Sequence, residues 1–290
     1  MPHPESHRVV YADEDLARRL EGLAAREMWR MARAARALFP QRDPLAIDVA
    51  GGVAAYVGEG SPINEAFGLG FAGEVTQEDV ALLERFYSWR QARGKVAVCP
   101  FADPSLWRLL GERGWVPDTF ENVLTMPLGP HTELAEPGVE IRACGAGERD
   151  LWARVVAVGF AAPCVPTQAE LDLAHLISAR DEAVLLLAWI DGEPAGTGEL
   201  VIDGGVGWLS ADTTLPPYRQ RGVQRSMQLE RLRLARDAGC DLAATEASPG
   251  GPSQRNMERL GFRIAYTRVD LVAPWQAAVP GSVSGDTEGT

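Results

Sequence analysis

Cysteine is scarce in this 290-residue chain, and the four present, Cys99, Cys144, Cys164 and Cys240, form no Cys-x-x-Cys pair. That spacing excludes a zinc ribbon and a secreted disulfide framework. Histidine is equally sparse: His3, His7, His131 and His175 make no His-Glu-x-x-His pair. Neither Gly-x-Ser-x-Gly nor Gly-x-x-x-x-Gly-Lys occurs, so metalloprotease, α/β-hydrolase and P-loop readings lack support. No stretch approaches the ~18 consecutive apolar residues of a membrane span. Acids appear early (Glu5, Asp13, Glu14, Asp15) where a secretory leader would be apolar. A cytoplasmic protein with no membrane partner and no metal is expected. Positive charge is also short, with 28 Lys+Arg against 40 Asp+Glu and a formal net charge of -12. Such a field repels nucleic acid and suits a cationic ligand, an amine among them.

What is present points to two domains, since the length and the 46% hydrophobic content exceed one small core. Leu16, Leu20, Leu23, Met31 and Leu38 recur near helical spacing over Asp13 to Leu38, with Pro40 as a stop. Strands are expected over Ile47 to Val57, Glu65 to Phe71 and Lys95 to Phe101, and helices over Asp79 to Arg93 and Pro104 to Arg113. The Gly/Pro-punctuated stretch from Gly129 to Gly138 reads as a linker, giving domains at 1–130 and 138–275. The tail, 276–290, reads as disordered. In the second half, Val139 to Ala143 reads as a strand and Gly147 to Phe160 as a helix. Thr167 with Glu170 forms a capping-box signal ahead of another helix. Asp191-Gly192 and Asp203-Gly204-Gly205 join Ala183 to Ile190, Pro194 to Ile202 and Val206 to Leu215 as an antiparallel meander. Trp89, Trp107 and Trp115 read as core or interdomain packing, and Cys164 as a buried small hydrophobe.

The halves echo each other at an offset of about 146 residues, which reads as a tandem duplication. Leu83-Glu84-Arg85, Lys95-Val-Ala-Val, Pro104-Ser105 and Gly114-Trp115 are matched by Leu229-Glu230-Arg231, Asp241-Leu-Ala-Ala, Pro252-Ser253 and Gly261-Phe262. Chance recurrence of helix-strand-helix order is the competing reading.

Most informative is the run from Asp212 through Leu215-Pro216-Pro217-Tyr218 into a long helix. A strand, a turn and a helix start leave backbone N–H groups and partial positive charge in position for an anion. Gly222 permits close backbone approach, and Arg219, Arg221 and Arg225 supply charge. An ordinary Arg-rich helix start is the alternative.

The segment Arg219-Gln220-Arg221-Gly222-Val223-Gln224 resembles motif A of the GNAT superfamily of N-acetyltransferases, written Arg/Gln-x-x-Gly-x-Gly/Ala. Ser253-Gln-Arg-Asn256-Met-Glu-Arg-Leu-Gly261-Phe262 resembles the closing helix of that family and the strand that follows it. The resemblance covers the second half. It implies an α/β (α+β) fold of two tandem GNAT-like domains, each a mixed, mostly antiparallel sheet flanked by helices. It further implies acetyl-CoA, or another acyl-CoA, as co-substrate and a small-molecule amine as acceptor, joined by direct attack in a ternary complex. Backbone groups of Thr213, Thr214 and Leu215 would hold the pantetheine as an added strand. Arg219 and the run Arg221, Gly222, Val223, Gln224, Arg225 and Ser226 would take the pyrophosphate, with Ser253 and Asn256 beside the thiol arm. Where the first half should carry the same turn it reads Ala72-Gly73-Glu74-Val75-Thr76-Gln77-Glu78-Asp79, whose acids would repel phosphate. That half reads as a degenerate copy.

An amine with a pKa of about 10.4 is protonated at neutral pH and must lose a proton before it attacks. Glu246, Asp212 and Glu199, on the central strands, are the candidate proton acceptors, acting directly or through water. The backbone near Thr214 is the candidate oxyanion donor. Two residues depart from the family pattern: Gln224 stands at the final small position of motif A, and Met257 where many members carry a thiolate-protonating Tyr. Solvent, Tyr218 or Tyr266 would have to replace that Tyr. The alternative function is a catalytically silent acyl-CoA-binding module with a protein partner.

Overall fold

Helix α1 (Glu14–Leu38) starts where the Asp13 carboxylate accepts the Leu16 amide at 2.8 Å, satisfying a donor that a helix start leaves orphaned. The structure is a computed structural model describing residues 10–129 and 138–275. The expected linker over 130–137, the tail, and His3, His7 and His131 lie outside the described residues. Leu16, Leu20, Leu23 and Met31 are buried as their spacing predicts, while Leu38 is exposed. Glu21 and Glu27 share the buried stripe.

Next come β1 (Leu45–Val49) and β2 (Gly52–Tyr56). The single strand expected over 47–57 is a hairpin, because Ala50 and Gly51 adopt φ of 49° and 79° and reverse the chain. β3 (Glu65–Phe67), α2 (Gln77–Ser88), β4 (Lys95–Val98), α3 (Pro104–Glu112) and β5 (Val116–Pro127) complete the first half. The second half comprises β6 (Glu140–Ala143), α4 (Arg149–Ala161), α5 (Gln168–Ser178), β7 (Ala183–Ile190), β8 (Glu193–Asp203), β9 (Val206–Thr214), α6 (Val223–Asp237), β10 (Leu242–Ala247), α7 (Pro252–Arg259) and β11 (Arg263–Val272). β7, β8 and β9 form the expected antiparallel meander.

The strands make one 11-stranded sheet in the order β1-β2-β3-β4-β11-β5-β10-β9-β8-β7-β6. β3 pairs with β4, and β9 with β10, in parallel; the other neighbours are antiparallel. The tandem repeat reads directly as β3-α2-β4-α3-β5 against β9-α6-β10-α7-β11. Each copy sends its last strand into the other: β5 pairs with β10, β11 pairs with β4, and the two exchanged strands pair with each other.

Helix α1 binds the halves together as well. Leu16, Leu20 and Leu23 lie in one apolar cluster with Val206, Trp208 and Leu242, each buried Leu contributing about 1.5–3 kcal/mol. Arg26 and Arg30 reach Asp203 at 3.0 and 2.7 Å, and Arg19 reaches Asp241. The solvent-exposed pairs among these contribute about 0–1 kcal/mol each, and only Arg30–Asp203 is partly buried, so the apolar contact dominates. On β10 the faces alternate, Leu242 and Ala244 joining the α1 cluster while Ala243 and Ala247 pack with Leu232, Met257 and Phe262.

Burial corrects two expectations. Trp89 is 88% exposed and Trp107 is also exposed, in contrast to the buried Trp115, which packs edge-on against Trp275; Cys164 is exposed as well. Among the described residues no helix is long and apolar enough to cross a membrane.

The start of α2 is closed by the chain itself: Thr76 Oγ1 accepts the Asp79 amide at 3.2 Å, and the Asp79 carboxylate accepts the Thr76 amide at 2.9 Å. Thr76→Ala is expected to cost about 1 kcal/mol, as lost N-caps do, measured by urea denaturation.

Candidate active site

β9 and β10 run together only from Val206/Leu242 to Leu209/Thr245. At that last step Thr245 Oγ1 donates to the Leu209 carbonyl at 2.9 Å. Beyond it β9 keeps β8 as its neighbour through Thr214, while Glu246 and Ala247 keep β5. A gap therefore opens between two strands that are each satisfied on their outer side. The Leu215 amide donates to the Ala195 carbonyl at 2.9 Å, so it is not the free donor expected of it. Strand alternation turns the neighbouring Thr214 amide the other way, toward the gap.

The register with β8 skips between Thr197/Thr213 and Glu199/Ser210, a bulge at Ala211 with φ 52°. A regular strand would carry Asp212 on the face of Trp208 and Ser210; the extra residue sends it to the opposite face. There Asp212 pairs with Arg231, a fully buried α6 residue whose guanidinium also donates to the Glu199 and Ser210 carbonyls at 3.0 Å each. Asp212 is thus corrected from proton acceptor to anchor of α6.

Helix α6 begins beside the gap. Gln220 and Gly222 take left-handed φ of 62° and 78°, and Gly222 caps the helix without a side chain. Among the described residues no protein group accepts from the Val223 and Gln224 amides, whereas the Ser226 amide is engaged by the Gly222 carbonyl at 3.0 Å. The expected donor run over 221–226 contracts accordingly to the first helical residues. Arg219, Arg221 and Arg225 are exposed around it. Arg219 Nε lies 3.4 Å from the Thr214 carbonyl, and Arg221 lies 3.5 Å from Asp191 and 5.6 Å from the Tyr218 ring.

Asn256 Nδ2 donates to Gln224 Oε1 at 2.6 Å, so the longer residue at the motif's last position ties α7 to α6. Ser253 is exposed in the first turn of α7, whose N-cap is Gly251. Met257 is 1% exposed and lies in the core with Phe262. The Tyr266 hydroxyl donates to Glu21 at 2.7 Å, and burial together with that carboxylate pushes its pKa up. That hydroxyl is committed to Glu21.

On the α1 side of the sheet the gap meets a cavity of about 410 Å³ lined by α1, α4 and α5 and by β3, β8, β9, β10 and β11. Ser210, Ala211 and Glu246 line it at the gap. Glu199, 3% exposed, shares Arg180 with Glu27 and accepts the Ser210 hydroxyl at 2.7 Å. Burial pushes the Glu199 pKa up against the pull of Arg180. Glu246 stands at the open end of β10 and pairs with Arg268, which lies 3.6 Å from Glu21 and 4.9 Å from the Phe67 ring. Of the three carboxylates expected at the reaction centre, two line the cavity and Asp212 does not. Glu27, Glu65, Arg180 and Arg268 join them without any sequence motif. The one legible sign was an acid, Glu27, on the apolar stripe of α1.

Residues 157–262 match the family model described as Acetyltransferase (GNAT) family. No curated protein matches the chain. A GCN5-related N-acetyltransferase from Kribbella flavida aligns at 19% identity and TM-score 0.59, covering 84% of this chain and 95% of that one. A tandem GNAT protein from the clavulanic acid biosynthesis pathway aligns at 13% identity and TM-score 0.55, covering 94% and 98%. A GCN5-related N-acetyltransferase from Sphaerobacter thermophilus aligns at 19% identity and TM-score 0.54, covering 72% and 71%. These likenesses concern the fold, and the second of them extends it over both halves.

Proposed function

The chain carries an acetyltransferase (GNAT) family domain at residues 157–262, and from that premise we propose that it transfers an acetyl group from acetyl-CoA to the amine of a small molecule. The observation that supports this most is the gap between β9 and β10, which joins an uncapped helix start on one side to an acid-lined cavity on the other. Pyrophosphate suits the Val223 and Gln224 amides, with Arg219, Arg221 and Arg225 around it. The pantetheine then runs along the unpaired edge of β9, where the Thr214 amide is turned toward it.

In the cavity the acids favour entry of an ammonium. Glu246, at the mouth of the gap, takes the amine proton directly or through one water, with Arg268 steadying the carboxylate. Glu199 is held by Arg180 and Ser210 and shapes the wall. The neutral nitrogen attacks the thioester carbonyl, the C–N bond forms, the nitrogen gives its excess proton to water, the C–S bond breaks, and the thiolate leaves. The Thr214 amide is the donor nearest the developing oxyanion. With Met257 in the core and Tyr266 bound to Glu21, the thiolate takes its proton from water or from Tyr218.

Glu246→Gln is expected to lower kcat about 100-fold, in the range of a lost general base, with acetyl-CoA affinity retained. Release of free thiol from acetyl-CoA with an amine panel measures the first, and calorimetric titration the second. Turnover unchanged in the variant would remove Glu246 from the mechanism. Absence of acetyl-CoA binding by the wild-type protein would remove the mechanism itself.

A further inference from the structure

Glu65 is the carboxylate in the cavity whose position the reaction above does not explain. It comes from the first half of the chain, on β3, is 9% exposed, lines the cavity, and its Oε1 has no hydrogen-bond partner among the described residues. Burying a carboxylate without a partner is costly and persists where something else compensates for it. The nearby cations face other carboxylates, although Arg268 Nε and Nη1 make no hydrogen bond among the described residues. Lys95, opposite Glu65 in the β3–β4 register, stands 3.7 Å from Asp118, and Arg268 pairs with Glu246 and Glu21. Asp270 and Glu246 add negative charge at the same spot, and burial pushes the Glu65 pKa well above the ordinary glutamate value. This corner of the cavity is short of a positive charge.

Apart from Glu27, Glu170, Arg180 and Glu199, which are engaged with one another or with Arg30, Thr167 and Ser210, the rest of the wall is apolar. Leu23, Met28, Phe67, Phe160, Ile177 and Trp208 line it, and the one hydroxyl among its lining residues, that of Ser210, donates to Glu199. A polyhydroxylated amine would lose its water there and find few partners, a cost of roughly 1–3 kcal/mol for each unpaired hydroxyl. An aryl or branched alkyl body meets no such penalty.

Resting on the acetyltransferase reading above, we infer that the acceptor is a cationic amine on a compact apolar body, and that Glu65 supplies the charge that holds its ammonium in the cavity beside Glu246. The first half of the chain would then act as the specificity wall of a reaction carried out by the second. No covalent step is added: the bound ammonium favours the ionised form of Glu65, and the proton leaves toward Glu246.

Phenethylamine and glucosamine serve as the two probe acceptors, assayed with acetyl-CoA by thiol release. The wild-type protein is expected to favour phenethylamine by about 100-fold or more in kcat/KM, as expected where one amine leaves hydroxyls unpaired and the other does not. Glu65→Gln is expected to raise the phenethylamine KM about tenfold or more, concentrated in KM rather than kcat, as loss of a buried charge partner does. It should leave acetyl-CoA affinity intact and leave Tm no lower, because an unpartnered buried carboxyl is replaced by a neutral amide; a merely structural Glu65 would instead lower Tm. Phenethylamine alone should raise the wild-type Tm and not that of the variant. Preference for glucosamine, or an unchanged KM in the variant, overturns the inference while the acetyltransferase reading stands. A Glu65-dependent thermal shift without acetyl-CoA binding does the reverse.

Discussion

Replacing Gly222 by valine is expected to weaken acetyl-CoA binding about 1,000-fold while leaving the fold standing. Gly222 holds φ at 78° as the N-cap of α6, a region that a β-branched residue enters only with strain of about 1–3 kcal/mol. The variant must either accept that strain or rotate the peptide. Rotation would turn the Val223 and Gln224 amides away from their common direction. Hydrogen bonds from neutral donors to a charged group contribute about 1.5–3 kcal/mol each. Losing two of them matches roughly three decades in Kd, at about 1.4 kcal/mol per decade. Isothermal titration measures the affinity, and a melting curve checks that the domain persists. The wild-type stoichiometry is expected to be one acetyl-CoA per chain, since the equivalent helix start in the first half is closed by Thr76 and Asp79. Unchanged affinity in the valine variant would disconnect this turn from the pyrophosphate.

The helix starts, the meander and the tandem order were legible because each has a local cause. Thr167 caps its helix through the short-range contact with Glu170 that the sequence shows, and the Asp-Gly and Asp-Gly-Gly steps set hairpin turns. What escaped was decided over distance. The exchange of β5 and β11 depends on which edges each half leaves open, which no window of sequence reports. Asp212 shows a different limit, since it faces α6 and pairs with Arg231. Counting alternate residues from Trp208 assigns it to the cavity, and a single bulge residue, Ala211, reverses the count. The phosphate turn was legible as a motif, yet the Leu215 and Ser226 amides had already been taken by Ala195 and Gly222. Glu65 and Arg268 could not be read as site residues at all, because the cavity they share is made only when the halves close on one another.

Arg180→Ala is expected to destabilise the protein by about 3–5 kcal/mol at neutral pH, the range for removing one partner of a buried ion pair. Arg180 is 3% exposed and is the shared cation of Glu27 on α1 and Glu199 on β8, so its loss strands the buried Glu199 and leaves Glu27 with Arg30 alone at the contact between the halves. The pH dependence follows from Glu199, whose native pKa already lies above its ordinary value because burial outweighs the pull of Arg180. Removing the guanidinium raises it further. A carboxylate whose native pKa is raised supports the fold when protonated, and that support is lost as pH climbs from the unfolded value near 4.5 through the raised native one. The destabilisation should therefore shrink toward pH 5 and grow toward pH 8, measured by urea denaturation across that range. Adding Glu199→Gln to the alanine variant should recover more of the loss at pH 8 than at pH 5, since it removes a charge that is increasingly populated as pH rises. A loss of equal size at both pH values would mean that Arg180 acts through packing of its side chain rather than as the counter-ion of the cavity wall.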